Sequence, residues 1–221
     1  MNPSKTALLG AALLSAALPV YADEVDTQDI KLDTIIVEGS RLNQTEAEIG
    51  TSVSIITAED IAKLGFDFAV DAVASAPGVT VNQNGSYGGA ASVRIRGAAT
   101  GQTLVLVDGV PVGDPAVTDG SFNFAYLDTE NIERIEVLKG PQSTLWGSDA
   151  IGGVVSITTK RAGEGLGGNL FGEYGSFNTF RAGGSVSNAG DIGDFRIAAT
   201  GISSDGISKA DEANGNPEDD G

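Results

Sequence analysis

Ile132-Glu-Arg-Ile-Glu-Val-Leu-Lys-Gly-Pro-Gln-Ser-Thr-Leu-Trp-Gly-Ser-Asp-Ala-Ile-Gly-Gly-Val-Val-Ser-Ile-Thr-Thr-Lys-Arg161 decides the fold of this chain. Ile132–Leu138 reads as a strand, Gly140-Pro141 breaks it, and one short helical turn runs to Trp146. A glycine-rich reversal follows, and Gly153–Thr159 is a second strand. Pro141 suits the first helical position, where its missing N–H costs nothing. Gly147, Gly152 and Gly153 suit a backbone that must turn left-handed or approach a neighbour closely.

Working outward, residues 51–161 form one α/β unit. Thr51–Ile56 alternates as a strand does. Thr57-Ala-Glu-Asp60 is a capping-box-like start to a helix that includes Ile61 and Leu64 and stops at Gly65. Asp67 is positioned to cap a second helix, Phe68–Ala76, ended by Pro77-Gly78. Val79–Val81 is a short strand, Asn82–Ala91 a loop of Gly, Asn and Ser, and Ser92–Arg96 and Thr103–Val107 are strands, with Asp108-Gly109 as a turn. Residues 110–131 read as one long loop.

After Arg161 the pattern changes. Asn169–Ser176, Thr179–Ser187 and Asp194–Ser203 alternate over the length of a tilted membrane strand. Their outward faces would include Leu170, Phe180 and Ile197. Asn188–Gly193 is a tight turn and Ser204–Gly221 an acidic loop. Residues 162–221 are thus the start of an antiparallel barrel. No segment beyond the N-terminus is a long apolar run, so a membrane could be crossed only by closed strands.

The 221 residues carry 13 Lys+Arg against 30 Asp+Glu, with no His and no Cys. That balance argues against nucleic acid and anionic surfaces as partners. It also removes imidazole bases and Cys/His metal sites, and neither a nucleophile elbow nor a phosphate loop is present. Gly163-x-Gly165-x-x-Gly168 has the spacing of a dinucleotide fingerprint, but a strand rather than a helix follows it, so it is a connector. The chain is not read as an enzyme, and no cofactor is required.

Residues 1–22 read as a secretory signal peptide: Lys5, an apolar run Ala7–Leu18, and Val20-Tyr21-Ala22 before the cleavage point. The run is too short for a membrane anchor. Residues 23–50 then form an N-terminal segment whose acidic start, Asp23–Leu32, lacks the apolar content to fold. It contains the β-prone run Asp33-Thr34-Ile35-Ile36-Val37, which alone would be an ordinary edge strand.

The Glu136–Ile157 pattern, with Lys139-Gly-Pro, Trp146-Gly and Gly152-Gly-Val, resembles the end of the plug domain of TonB-dependent outer-membrane receptors. Thr57-Ala-Glu-Asp-Ile, Ala76-Pro-Gly-Val-Thr-Val, Val93-Arg-Ile-Arg-Gly and Leu104-Val-Leu-Val-Asp-Gly-Val-Pro resemble it in the same order. The fold class implied is an α/β (α+β) plug with a small mixed sheet, followed by the first antiparallel strands of a transmembrane β-barrel. A plugged transporter has about twenty-two strands, so the resemblance implies an N-terminal portion of a product several times longer. A complete, soluble periplasmic plug-like module is the rival.

Further implications follow from the resemblance. Residues 33–37 would be the TonB box, which pairs as an added strand with the inner-membrane energising partner, TonB. Their closeness to the cleavage point would leave no room for a signalling domain. Asn82, Gln83, Asn84, Ser86 and Tyr87, with Asp114, Asp119 and Phe122, would contact a nutrient ligand. Arg96 and Lys139 would lock the plug to glutamates of the barrel wall, Lys139 as a point charge where Arg is commoner. Trp146–Val155 looks most like the cobalamin branch, with an iron siderophore as the alternative cargo. Asn216-x-Glu218-x-Asp220-Gly221 reads plainly as a solvated acidic loop. Outer loops of the cobalamin branch can hold calcium, which makes Glu218 and Asp220 candidate ligands for it. Residence in the outer membrane of a Gram-negative cell, in contact with its lipid, completes the expectation.

Overall fold

The computed structural model describes residues 36–37, 44–45, 50–85, 88–190 and 193–206. These belong to one compact unit, Thr34–Gly221. In chain order the strands of its α/β body are β1 (Ile36–Val37), β2 (Gln44–Thr45), β3 (Ser52–Thr57), β4 (Val79–Gln83), β5 (Ala91–Ile95), β6 (Thr103–Val107), β7 (Val110–Val112), β8 (Ile132–Lys139) and β9 (Gly153–Thr159). Its helices are α1 (Ala58–Leu64), α2 (Ala69–Ala74) and α3 (Ser143–Trp146). Strands β10 (Gly165–Tyr174), β11 (Phe180–Gly190) and β12 (Gly193–Ser203) follow.

The main sheet has the order β3-β8-β9-β6-β7, and only β6 and β9 run parallel. Alternate residues of its strands serve opposite faces. Ile135, Val137, Val155, Ile157 and Val105 face the larger core with α1, α2 and the β4–β5 hairpin. Leu138, Val154, Leu104 and Leu106 face a smaller cluster with Ala150 and Trp146. Strand β9 is buried on both faces. Gly153 is therefore required twice over: its φ is +151°, and a Cβ there would lie 2.3 Å from the carbonyl oxygen of Leu138.

Helix α1 starts as the sequence implies. Thr57 Oγ1 accepts from the Asp60 N–H at 3.2 Å, and Asp60 Oδ2 accepts from the Thr57 N–H at 3.0 Å. Gly65, left-handed at φ 67°, ends it.

Several local expectations change. Pro141 does not open α3, which begins at Ser143. It sits between Gly140 and Gln142, whose N–H groups donate to Gly152 and Ala150 at 3.2 and 2.8 Å, a place where no donor is needed. Asp67 does not cap α2; Phe68 occupies that position without a side-chain bond, and the Asp67 carboxylate turns to Arg181. The stretch after Gly109 is not all loop. Asp108 and Gly109, at φ 48° and 77°, make a tight two-residue reversal that pairs β7 with β6. Pro111 is tolerated there because β7 is an edge strand. The loop ends at Asn82–Ala91 likewise extend β4 and β5, which pair from Val79↔Ile95 to Gln83↔Ala91.

Strands β10, β11 and β12 form a separate antiparallel sheet in that order. β10 begins at Gly165, earlier than its glycine-rich start suggests, and β11 and β12 pair as far as Gly190↔Gly193, which shortens the expected turn. Register puts Leu166, Leu170, Tyr174, Phe180, Val186 and Ile197 on one face, all exposed, Leu170 at 92 %. The other face carries Asn169, Glu173, Arg181, Ser185, Arg196 and Thr200 and bonds to the α/β body.

Gly153→Ala should lower the unfolding free energy by about 3 kcal/mol, since both backbone and contact resist a side chain. Thr57→Ala, which removes only a cap, should cost about 1 kcal/mol. Denaturant titration of the two variants checks the order, and equal losses would contradict the close approach at β9.

Candidate functional site

At one end of the α/β body, the β4–β5 turn meets the long segment after β7. Between them lies a cavity of about 400 Å3, lined by Asn82, Asn84, Ser92, Asp114, Ser121, Phe122 and Asn123 among others. The two loops singled out by sequence therefore come together, and Asn82, Asn84, Asp114 and Phe122 share the cavity. Gln83 is exposed but does not line it, and Ser86 and Tyr87 lie outside the described residues.

Asp119 stands apart as an anchor. Hydrogen bonds from Thr100 and from both the side chain and backbone of Ser121 hold its carboxyl down to about 2. Asn123 closes the second segment and was not among the individually expected contact residues. Its Oδ1 accepts from the Ala91 N–H at 3.0 Å and the Ala125 N–H at 3.1 Å, tying the two loops together. Phe124 behind it is buried, its N–H donates to the Ala91 carbonyl at 2.9 Å, and Phe122 meets its ring edge-on at 4.8 Å. Tyr126 is also exposed beside the loops, with its ring over Gly88. Local sequence gave no signal for the contacts of Asn123 and Phe124 with Ala91 or of Tyr126 with Gly88, which join residues far apart in the chain.

The second constellation lies where β11 meets the body. Arg181, whose side chain is 7 % exposed, donates to Asp128 Oδ2 through Nη2 at 2.7 Å and Nε at 3.2 Å. Its Nη1 reaches Glu173 at 3.2 Å and Asp67 at 3.3 Å. The guanidinium also stacks 4.7 Å from the Phe171 ring centroid. Burial pushes the Asp67 carboxyl up despite the nearby guanidinium, with the Glu173 and Asp128 charges adding to the rise. A cavity of about 220 Å3 opens beside this cluster, between α1 and the β10–β11 strands.

Arg96 and Lys139 lie near each other elsewhere. Lys139 is buried and donates to Ser54 Oγ at 2.6 Å, and burial together with the Arg96 charge pulls its ammonium below the ordinary range. Arg96 is exposed, with positive φ. Among the described residues neither meets a carboxylate. Ile36 and Val37 pair antiparallel with Thr45 and Gln44. Asp33, Thr34 and Ile35, like Glu218 and Asp220, lie outside the described residues.

A mixed-sheet body docked through charge onto strands that are polar inside and apolar outside defines a plug with the start of its barrel wall. Residues 45–154 match the family described as TonB-dependent Receptor Plug Domain, and the chain belongs to the TonB-dependent outer-membrane receptors. It is 38 % identical over 159 residues to the vitamin B12 transporter BtuB of Vibrio vulnificus, covering 72 % of this chain and 25 % of that protein. Among solved structures it resembles the siderophore receptor PirA from Acinetobacter baumannii, with TM-score 0.57, 30 % identity, and coverage of 74 % of this chain and 26 % of the other. PirA from Pseudomonas aeruginosa matches with TM-score 0.54, 35 % identity, and coverage of 69 % and 27 %. The chain spans about a quarter of the length of the curated relatives it matches.

The depressed Asp119 carboxyl makes loop order depend on pH. Its stabilising contribution should be complete above the ordinary value of 3.8 and lost as pH falls through about 2. Following the Asp119 side-chain carboxyl by NMR checks this. A midpoint near 4 would mean that the bonds to Thr100 and Ser121 do not persist in solution.

Proposed function

We propose that this chain is the plug-bearing part of an energy-coupled outer-membrane importer whose cargo is a corrinoid such as cobalamin. The observation that carries the cargo is the character of the plug cavity. Its polar lining is amide and hydroxyl, from Asn82, Asn84, Ser92, Ser121 and Asn123, with Phe122 as an apolar wall and Asp114 as the charge. The segments 82–91 and 110–123 contain Asp114 and Asp119 and no Lys or Arg. A polyanionic ferric chelate would meet unbalanced like charge there, whereas a corrin rim bearing neutral amides finds matching donors and acceptors. Similarity to a vitamin B12 transporter agrees. The second reading, a ferric siderophore, is favoured by the PirA structures and fits if the chelate is uncharged.

Ligand arriving from outside rests on these loops. Occupancy shifts the population in which the box, Asp33-Thr34-Ile35-Ile36-Val37, is open to TonB in the periplasm. TonB pairs with that strand and delivers the work of moving the plug. Such a partner is needed because the outer membrane has no nucleotide supply. Arg96 and Lys139 hold the plug to carboxylates of the wall beyond β12; Lys139 is the buried one, and a buried charge requires a partner. The exposed apolar face of β10–β12 meets lipid, which speaks against a soluble periplasmic module.

Ile35→Pro or Ile36→Pro should abolish uptake and leave surface binding intact, because proline removes a donor and fixes the backbone of the pairing strand. Undiminished transport by the full-length variant would sink the box assignment.

Isothermal titration of the full-length receptor with cobalamin tests the cargo. Affinity should rise in millimolar-range calcium, and Glu218→Ala with Asp220→Ala should erase that rise while leaving calcium-free binding nearly unchanged. No binding in either condition hands the lead to siderophores. Binding indifferent to calcium keeps the corrinoid and leaves Glu218 and Asp220 a solvated loop.

A further inference from the structure

The ligand cavity and the Arg181 cluster sit at the two ends of one short segment. Asn123 closes the cavity through Ala91. From there the chain passes through buried Phe124 and Ala125 to Leu127, whose N–H donates to the Phe124 carbonyl at 3.3 Å. Leu127 in turn accepts from the Ala69 N–H at 2.8 Å, and Thr129 Oγ1 donates to the Phe66 carbonyl at 2.7 Å. Asp128, between them, is held on both oxygens: Oδ2 by Arg181, and Oδ1 by the Glu130 N–H at 2.7 Å. Segment 123–129 is therefore bonded along its length, cross-linked to residues 66–69, and pinned at its far end to a wall strand.

We propose that Arg181 is a positioning residue for the ligand face of the plug, acting through Asp128 and the strut 123–129. A rigid strut fixes the loops relative to the wall, so that ligand contacts contributed by plug and barrel keep one geometry. Asp128 is the working partner. It receives two bonds from the guanidinium, while Asp67 contributes one longer contact and Glu173 belongs to the neighbouring wall strand. The calling of this face a ligand face rests on the importer reading, but the mechanical coupling does not.

Hydrogen exchange of the ligand-free, full-length receptor tests the coupling directly. In Arg181→Met, the amides of Ala91, Phe124 and Leu127 should exchange about tenfold faster, while Val154–Ile157 keep the wild-type rate, as befits a local opening. Asp67→Asn should exchange like wild type. The exchanged pair Arg181→Asp with Asp128→Arg should recover much of the protection, which a merely structural loss would not allow. If Arg181→Met does not assemble, Arg181→Lys must show the same pattern at smaller amplitude, because an ammonium cannot hold Asp128 and Glu173 as a fork does. Wild-type exchange at Ala91, Phe124 and Leu127, or acceleration shared equally with Val154–Ile157, overturns the proposal. Cobalamin titration of the same proteins should show weaker binding for Arg181→Met than for wild type. Wild-type protein that binds no cobalamin would defeat the cargo assignment alone and leave the exchange result standing.

Discussion

Among the described glycines, Gly153 leaves the least room for a side chain, since a Cβ there would lie 2.3 Å from the carbonyl oxygen of Leu138. It lets β9 lie between antiparallel β8 and parallel β6, with side chains buried on both faces. The cavity-lining segments 82–91 and 110–123 are built out from elements packed on this strand. The β4–β5 hairpin packs on one face through Val93 and Ile95, and α3 covers the other through Trp146. Asp108, at the reversal into β7, accepts both the N–H and the hydroxyl of Thr159 at 2.8 Å and so fastens the far end of β9. A strand secured at both ends and buried on both faces is a base from which polar loops can project without collapsing.

The body and the wall strands meet by a different kind of interaction. Their interface is polar, and the guanidinium of Arg181 is its most buried charge. Removing one member of a buried pair typically costs about 3 to 5 kcal/mol, though the partial exposure of Asp67 and Glu173 makes Asp128 the partner whose loss matters most. Polar docking can both hold and yield: directional bonds fix one position, and water can satisfy the same groups when they separate. An apolar interface of equal area would hold as firmly but would expose hydrophobic surface on movement.

Local grammar was legible and most distant pairing was not. Strands β6 and β9, the capping box at Thr57 and the stop at Gly65 all follow from residues adjacent in the chain. The joining of segments 82–91 and 110–123 into one cavity was legible through the plug resemblance. What failed was whatever depended on a partner elsewhere. Asp67 has the composition of a cap, yet a cation more than a hundred residues later captures it. Pro111 hid β7 because edge strands tolerate proline and a sequence does not announce its edges. Arg181 gave no signal, since a lone basic residue on an alternating segment looks like any solvated charge.

The parity of β10–β12 shows why the wall strands are hard to orient from sequence. Gly168, Gly172, Gly184 and Gly201 fall on the same face as Leu170, Val186 and Ile197, so apolar content alone barely separates the faces. Polar content separates them better, because Arg181 and Arg196 stand on one face only and both find partners on the plug, Asp128 and Asn131. A cation facing hydrocarbon is costly, by about 2 to 4 kcal/mol at the bilayer midplane. Two arginines that the β11–β12 register places on the same face therefore decide the orientation of the sheet, and the exposed leucines and phenylalanines on the opposite face are its consequence.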